Sequence, residues 1–176
     1  ENLGAANLFP FGIGTSVNRH IIEGMARAGM GEPFVILNAG EAAKAAARFQ
    51  KYIESPVLTQ IKVNFAGFQT YDVEPLALPD LFALRPLILL GKYKGSPGGA
   101  IEVTGKTAAG DFPQTISVSE DKANADNRAL RFLWARQRVQ RLVDYGRLLR
   151  GKDEAVIKEV TQLGLKYSLM TPYTSF

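Results

Sequence analysis

The first 55 residues alternate between short apolar runs and amphipathic stretches, and this order constrains the fold more than any other feature. An apolar run over residues 8–13 is typical of a strand buried on both faces, and residues 33–37 predict a second strand. A predicted helix follows each strand, the second over residues 41–53. This order indicates a parallel, right-handed crossover unit. Two strands make a very small parallel sheet, so we expect residues 1–55 to be the last portion of a larger sheet.

Capping residues predict where these two helices begin and end. Ser16 or Asn18 can cap the first helix, because either side chain accepts a hydrogen bond from a free backbone N–H. Gly29 and Gly31 can end that helix. The second helix stops before Pro56, because the residue preceding a proline leaves the α region.

Residues 56–119 change to a period of two, which is typical of strands. Apolar and polar residues alternate over 57–65, and this pattern predicts a strand with one buried face and one partly solvent-exposed face. Further short strands are predicted over residues 69–73, 87–93, 101–107 and 112–118. The last two flank a hairpin turn, Ala108-Ala109-Gly110-Asp111, in which the glycine takes a positive φ. Several short strands at this spacing favour an antiparallel β-sandwich.

The remainder of the chain, residues 124–176, has a helical period. Apolar residues recur by three and four from Phe132 to Leu149, and Gly151 ends that helix. Asp153 can cap a second helix, and Pro172 keeps the tail after it extended. The expected fold class is therefore an α/β segment, followed by antiparallel β-sandwich strands and two C-terminal helices.

Basic residues concentrate in one stretch of the chain. Residues 128–152 contain eight basic residues against one acid, Asp144, which is a local charge of +7. These basic residues are Arg128, Arg131, Arg136, Arg138, Arg141, Arg147, Arg150 and Lys152. Such a stripe indicates either a surface for nucleic acid or an acidic partner, or a solvated helix face whose arginine stems cover apolar neighbours. No aromatic stacking motif or helix-turn-helix accompanies it in the sequence, which favours the solvated face.

The composition excludes several classes of site. The chain has no cysteine, and His20 is its single histidine. Thiolate zinc sites, disulfide frameworks and multi-histidine metal sites are therefore excluded. No apolar window of about 18 residues is present, so we expect no membrane-spanning helix.

Two glycine motifs resemble phosphate-binding loops, and both fail at a required position. Gly12 and Gly14 follow a predicted strand, but the dinucleotide fingerprint needs a third glycine where Val17 stands. Residues 105–107 resemble the end of a phosphate loop, but its first glycine would fall on Ala100 and no helix follows. We interpret the first motif as a tight strand-to-helix turn and reject the second.

The remaining candidates for chemistry have simpler explanations. His20 lacks a neighbouring acid and a nucleophile elbow, which indicates a surface or capping histidine. Asp72 and Glu74 share a strand face and are candidates for paired carboxylates, although solvated acids are the usual explanation. The loop at residues 121–127 lacks the EF-hand ligand pattern and predicts a helix start at Asp126. We therefore predict no catalytic, cofactor-binding or metal-ligating residue in this chain.

Several sequence blocks, taken in order, carry a family resemblance. The segment LFPFGIGTSVNRHIIEGMARAG, a short strand, an alanine-rich helix and SPVLTQIKV resemble the end of a von Willebrand factor type A domain. In particular, they are similar to that domain in inter-alpha-trypsin inhibitor heavy chains and their bacterial relatives. RFLWARQRVQRLVD and LGLKYSLMTPYTSF resemble the same family's later helix and its Thr-Pro-x-Thr-Ser tail. That tail corresponds here to Thr171, Pro172, Thr174 and Ser175.

The resemblance implies a domain organisation and a cofactor. Residues 1–55 would be the C-terminal part of a type A domain, and residues 56–176 would be β-sandwich strands with a helical segment. The family, which also carries a VIT domain, builds this sandwich partly from an upstream domain. It also implies a metal-ion-dependent adhesion site for magnesium or calcium, whose Asp-x-Ser-x-Ser loop precedes residue 8. No metal ligand is therefore transferred to this chain.

The function implied by the resemblance is non-enzymatic binding or adhesion at the cell envelope or exterior. We expect this chain to be a C-terminal segment whose partner is the N-terminal part of the same protein or a second subunit. The alternative is binding of nucleic acid or an acidic partner through the basic stretch at residues 128–152.

Overall fold

The computed structural model describes residues 6–54, 56–82, 86–122, 124, 126–148 and 153–175. Within these residues it contains eight strands and four α-helices. The strands are β1 (Phe11–Ile13), β2 (Phe34–Ile36), β3 (Pro56–Ala66), β4 (Gln69–Glu74), β5 (Leu81–Phe82), β6 (Leu90–Lys94), β7 (Gly99–Thr107) and β8 (Gly110–Val118). The helices are α1 (Arg19–Ala28), α2 (Ala39–Ile53), α3 (Ala129–Leu148) and α4 (Glu154–Tyr167).

These elements form two compact units that interleave along the chain. Unit 1 comprises Glu1–Gly67, Ala77–Ile88 and Gly99–Val118. Unit 2 comprises Phe68–Leu76, Leu89–Gly98 and Ser119–Phe176. The predicted domain division between residues 55 and 56 stays a prediction.

Unit 1 begins with the predicted strand, helix, strand and helix. β1 and β2 pair in parallel, with Phe11 opposite Phe34. Asn18 is the residue that caps α1, because its side chain accepts a hydrogen bond from the Ile21 N–H at 3.3 Å. The predicted strand over residues 8–13 is too long, because the Leu8 N–H donates to the Gly29 carbonyl beyond the end of α1. The strand itself begins at Phe11.

The second sheet of unit 1 is antiparallel, with the strand order β5-β3-β7-β8. Its β7–β8 hairpin confirms the predicted turn, and Gly110 has a φ of 122°. The short strand β5 was not predicted, because two residues carry too little pattern. Leu58 and Ile61 of β3 are buried, and their side chains are part of the apolar core of unit 1.

Unit 2 consists of the antiparallel β4–β6 pair and helices α3 and α4. Its core is a cluster of seven buried residues: Trp134, Ala135, Val139, Leu142, Val156, Val160 and Leu169. Asp153 caps α4 as predicted, accepting hydrogen bonds from the Ala155 and Val156 N–H groups. Two predicted starts were wrong, because β6 begins at Leu90 and α3 begins at Ala129 rather than at Asp126.

The architecture is therefore mixed α/β with antiparallel sheets and four helices, in agreement with the coarse fold class. The sandwich arrangement of the sheets stays a prediction. In the part of the chain that is described, no helix is both long and apolar enough to cross a membrane.

Candidate functional site

The outer edge of β1 is the first candidate site, and it lies in unit 1. β1 pairs with β2 on one side, where the Phe34 N–H donates to the Pro10 carbonyl and the Gly14 N–H donates to the Ile36 carbonyl. Backbone groups of successive strand residues point to opposite sides. The N–H and C=O groups of Phe11 and Ile13 therefore point away from β2. This edge has the backbone pattern that accepts a further strand.

Apolar side chains are exposed on and beside this edge. Ile13 is 75% exposed and Phe11 is 41% exposed, although both lie in a parallel sheet. On α1, Ile21 and Met25 are 56% and 43% exposed, and they are four residues apart on one side of the helix. Parallel strands are normally buried on both faces. These exposed apolar side chains therefore form a surface that the described residues leave uncovered.

The second candidate site is a buried carboxylate in unit 2. Glu74, the last residue of β4, is 0% exposed. Arg141 binds it with two hydrogen bonds, Nε to Oε2 at 2.8 Å and Nη2 to Oε1 at 2.9 Å. Arg138 Nη1 also donates to Glu74 Oε1 at 2.9 Å. Charge-assisted, bidentate hydrogen bonds of this kind compensate the free-energy cost of burying the carboxylate.

This carboxylate changes the interpretation of the basic stretch at residues 128–152. Arg138 and Arg141, two of its eight basic residues, bind Glu74 instead of facing solvent. Arg138 also pairs with Glu159 of α4 at 2.7 Å. Burial disfavours the charged form of Arg138, but its hydrogen bonds to Glu159 and Glu74 outweigh this effect and raise its pKa. The side chains of Arg147, Arg150 and Lys152 lie outside the described residues.

Asp72 and Glu74, the candidate paired carboxylates, bind different cations. Asp72 has a φ of 51° at an irregularity in the β4–β6 ladder, and its carboxylate binds Lys92 Nζ at 2.8 Å. That hydrogen bond lowers the pKa of Asp72, against the raising effect of partial burial. The main-chain carbonyl of Asp72 accepts a hydrogen bond from Trp134 Nε1 at 2.7 Å. Each carboxylate thus has its own cationic partners, Lys92 for Asp72 and the two arginines for Glu74.

The structure gives the glycine motifs a packing role. A Cβ atom at Gly12 would overlap the Val17 side chain, and Gly14 takes a φ of 100° in the turn that follows β1. These observations confirm a tight strand-to-helix turn. Gly105 lies within β7, where a Cβ atom would lie 2.8 Å from the Leu58 side chain. Residues 105–107 thus lie in a strand that leads into a hairpin, as predicted, and not in a loop that precedes a helix.

The other sequence candidates remain apart from any cluster. His20 is exposed in the first turn of α1, and no acidic side chain among the described residues pairs with it. In the loop at residues 121–127, the Asn124 side chain accepts a hydrogen bond from the Asp126 N–H at 2.9 Å. No group of three or more His, Cys, Asp or Glu residues in the described ranges is arranged to hold a metal ion. These residues therefore do not fit the magnesium or calcium site that the resemblance implies.

Sequence reasoning missed the role of Glu74, because a charged residue in an exposed-looking strand carries no signal of burial. The only available signal was the spacing of Arg138 and Arg141, which places them on one side of a helix. That spacing also suits a solvated face, so the sequence alone did not distinguish the two roles.

Comparison with known proteins identifies relatives over the whole chain. No model of a protein family matches. A von Willebrand factor A domain-containing protein of Dictyostelium discoideum is 28% identical over 182 residues, which cover 100% of this chain and 9% of that protein. Inter-alpha-trypsin inhibitor heavy chain H3 of Rattus norvegicus is 22% identical over 179 residues, which cover 96% of this chain and 20% of that protein. Inter-alpha-trypsin inhibitor heavy chain H2 of Sus scrofa is 22% identical over 184 residues.

These relatives confirm the predicted resemblance to von Willebrand factor A domain-containing proteins and inter-alpha-trypsin inhibitor heavy chains. The chain spans only 9% of the Dictyostelium protein and 20% of the rat heavy chain. The similarity therefore concerns one region of much longer proteins.

Proposed function

We propose that this chain belongs to a non-enzymatic binding or adhesion protein, and that β1 joins a larger parallel sheet supplied by another part of the same protein. The single observation that carries this proposal is the outer edge of β1, where Phe11 and Ile13 direct backbone groups away from β2 and no described residue pairs with them. The relatives support it, because they are named for a von Willebrand factor A domain and extend far beyond the matched region.

The energetics favour an added strand on this edge. Burying an isoleucine or phenylalanine side chain contributes roughly 1.5–3 kcal/mol. Ile13, Ile21 and Met25 are exposed, so they contribute only part of this stabilisation in the chain alone. A neighbouring strand would cover Ile13 and Phe11 and would hydrogen-bond their main-chain groups at the same time.

The antiparallel sheet of unit 1 supports the proposed β-sandwich in the same way. On β3, Ile61 is only 8% exposed, whereas on the outer strand β8 Phe112 and Ile116 are 37% and 50% exposed. The register places Ile116 opposite Ile101 and Phe112 opposite Gly105. The apolar side chains on β8 therefore lack the cover that β3 has. We propose that a second sheet from the same protein packs over them.

The remaining parts of the proposal rest on the relatives. The protein acts at the cell envelope or exterior, and it carries magnesium or calcium in a loop outside this chain. We propose that its ligands also lie outside this chain, since the described residues contain no group of three or more His, Cys, Asp or Glu residues placed to hold a metal ion. Binding of nucleic acid through residues 128–152 has less support, because Arg138 and Arg141 are occupied by Glu74.

Hydrogen exchange of single backbone amides tests the proposed strand addition. The amides of Phe11 and Ile13 should exchange fast in this chain and slowly in the full-length protein, because a neighbouring strand protects them. The Gly14 and Phe34 amides, which already donate to β2 and to Pro10, are the internal control and should be protected in both. Equally fast exchange of Phe11 and Ile13 in both proteins would overturn the proposal.

A pair of substitutions distinguishes strand addition from nonspecific hydrophobic association. Ile13→Asp should abolish co-purification of this chain with the N-terminal part of the same protein. Ile88→Asp is the matched control, since Ile88 is 59% exposed and belongs to neither β1 nor α1. Equal loss in both variants would contradict the proposal. Capture of a second copy of this chain at the β1 edge, detected as a dimer by light scattering, would also contradict it.

A further inference from the structure

Unit 2 contains a connected set of four cations and four aromatic rings, which we name the cation–aromatic belt. It is assembled from β4, β6, α3 and α4, and no segment of the sequence shows it alone. Its members are Lys94, Tyr71, Lys92, Trp134, Tyr167, Lys166, Phe132 and Arg131.

Distances from cation to ring centroid link one half of the belt. Lys94 Nζ lies 5.4 Å from the Tyr71 centroid, and Lys92 Nζ lies 5.6 Å from the same centroid. Lys92 Nζ is also 3.6 Å from the Trp134 centroid. A cation within about 6 Å of a ring centroid is attracted by the negative ring face. Lys92 is therefore held between two rings.

The other half of the belt continues from Trp134 into α4. The Trp134 and Tyr167 ring centroids are 5.9 Å apart, and those of Tyr167 and Phe132 are 6.3 Å apart. Lys166 Nζ lies 5.6 Å from the Tyr167 centroid, and the Arg131 guanidinium lies 4.8 Å from the Phe132 centroid. Each of the four cations of the belt thus lies close to the centroid of at least one aromatic ring.

The belt carries more positive charge than its own partners neutralise. Among the described residues, Asp72 is the one acid that pairs with a belt cation, and it pairs with Lys92. Lys94, Arg131 and Lys166 are exposed and have no acidic partner in the described part of the chain. The surface is therefore complementary to a negatively charged ligand.

The ring faces decide which kind of anionic ligand fits. Bases of single-stranded nucleic acid gain affinity by stacking on open aromatic faces. Here one face of Trp134 carries Lys92 and one face of Phe132 carries Arg131, and Trp134 is only 5% exposed, so these rings offer little open face to a base. A ligand that supplies carboxylates in a row, without needing to stack, uses the exposed cations directly.

We infer that the cation–aromatic belt binds an acidic segment of a partner protein. The rings reduce the conformational freedom of the cations before binding, which lowers the entropic cost of association. Carboxylates of the segment pair with Lys94, Lys166 and Arg131. This inference concerns a different surface from the β1 edge and stands whether or not that proposal holds.

Trp134 provides the readout for the test, because it is the single tryptophan of the chain and it contacts Lys92 directly. Titration of this chain with oligoglutamate at about 50 mM salt should change the Trp134 fluorescence, and added salt should reverse the change. Oligoglutamine is the neutral control and should produce no change. An absence of any response to oligoglutamate under these conditions would overturn the inference.

Charge-matched variants test whether the belt itself binds. The belt variant Lys94→Gln, Arg131→Gln, Lys166→Gln should weaken oligoglutamate binding about tenfold or more, which is at least one decade in Kd. These three side chains are exposed to solvent, so we expect the variant to keep its fold, and circular dichroism should show an unchanged spectrum.

The control variant loses the same charge elsewhere: Lys62→Gln, Arg136→Gln, Lys158→Gln. These three residues are exposed and lie outside the belt. Affinity should change by less than about threefold, since only long-range charge is lost. Equal weakening in both variants would assign binding to net charge and contradict the inference. Tighter binding of single-stranded DNA than of oligoglutamate would contradict it as well.

Discussion

The indole Nε1–H of Trp134 donates a 2.7 Å hydrogen bond to the main-chain carbonyl of Asp72, 62 residues earlier in the chain. Asp72 lies at an irregularity of the β4–β6 ladder with a φ of 51°. Glu74 lies two residues after Asp72 in β4. It binds Arg138 and Arg141, which belong to α3, as Trp134 does. One short stretch of β4 thus makes two specific polar attachments to α3, and each can be broken separately.

Replacing Glu74 by glutamine should destabilise the chain by about 3 kcal/mol, because Arg138 and Arg141 would keep their charges without the buried counter-charge. This value is at the low end for buried pairs, since the two arginine side chains are 20% and 30% exposed. Urea unfolding followed by circular dichroism measures it. Asp111→Asn is the control, because its carboxylate is 85% exposed and the change should have little effect.

Trp134→Phe should cost about 1–2 kcal/mol of unfolding free energy, because the part-buried carbonyl of Asp72 loses its hydrogen-bond donor while an aromatic ring remains. Thermal unfolding by circular dichroism reports the change. Tyr173→Phe, which removes a hydroxyl from a side chain that is 42% exposed, should leave the midpoint within error. A shift of equal size in both variants would argue against the importance of the Trp134 bond.

The pair formed by Asp72 and Lys92 predicts an acid-dependent part of stability. The pKa of Asp72 is lowered in the folded chain from its ordinary value of 3.8, mainly by the hydrogen bond from Lys92. Its stabilising contribution is therefore complete above pH 3.8 and is lost as the pH falls through the lower folded pKa. The stability difference between the wild type and Asp72→Asn should be constant near neutral pH and shrink in this acid range. Urea titrations at several pH values test it, and a difference that grows on acidification would contradict it.

Gly164→Ala should destabilise unit 2, although alanine favours helix by about 1 kcal/mol over glycine. A Cβ atom at this position would overlap Thr174 Oγ1 and lie 3.1 Å from Thr171 Cγ2. Overpacking of this kind costs about 1–3 kcal/mol, so the clash outweighs the propensity. The matched helical substitution Gly146→Ala meets only Val156 Cγ1 at 3.3 Å and should be close to neutral.

A double variant checks that the cause of the Gly164→Ala effect is the tail. Thr174→Ala removes both atoms that the new Cβ would approach most closely, so the two changes should be less than additive. Thr174→Ala alone also loses a 2.9 Å hydrogen bond from Thr174 Oγ1 to the Leu169 carbonyl. Strict additivity of the unfolding free energies would place the effect of Gly164→Ala elsewhere.

Local rules were sufficient for most of the elements and for several of their ends. Asn18 and Asp153 cap helices as the sequence predicts, and Gly110 takes the positive φ of its hairpin turn. These features depend on neighbours within a few residues, which the sequence displays directly. β5 lies at the limit of this reasoning, because a two-residue strand exists only through its partner β3.

The sequence by itself determined the parallel start of the chain, the hairpin, the two C-terminal helices and the family resemblance. Only the tertiary structure decided that β3 pairs with β5 and β7 while β4 pairs with β6. It also decided that Arg138 and Arg141 turn towards Glu74 and that Lys92 lies over Trp134. The physical reason is range: a cap or turn is selected by adjacent backbone groups, whereas the direction of a long charged side chain depends on which distant carboxylate or ring folding brings beside it.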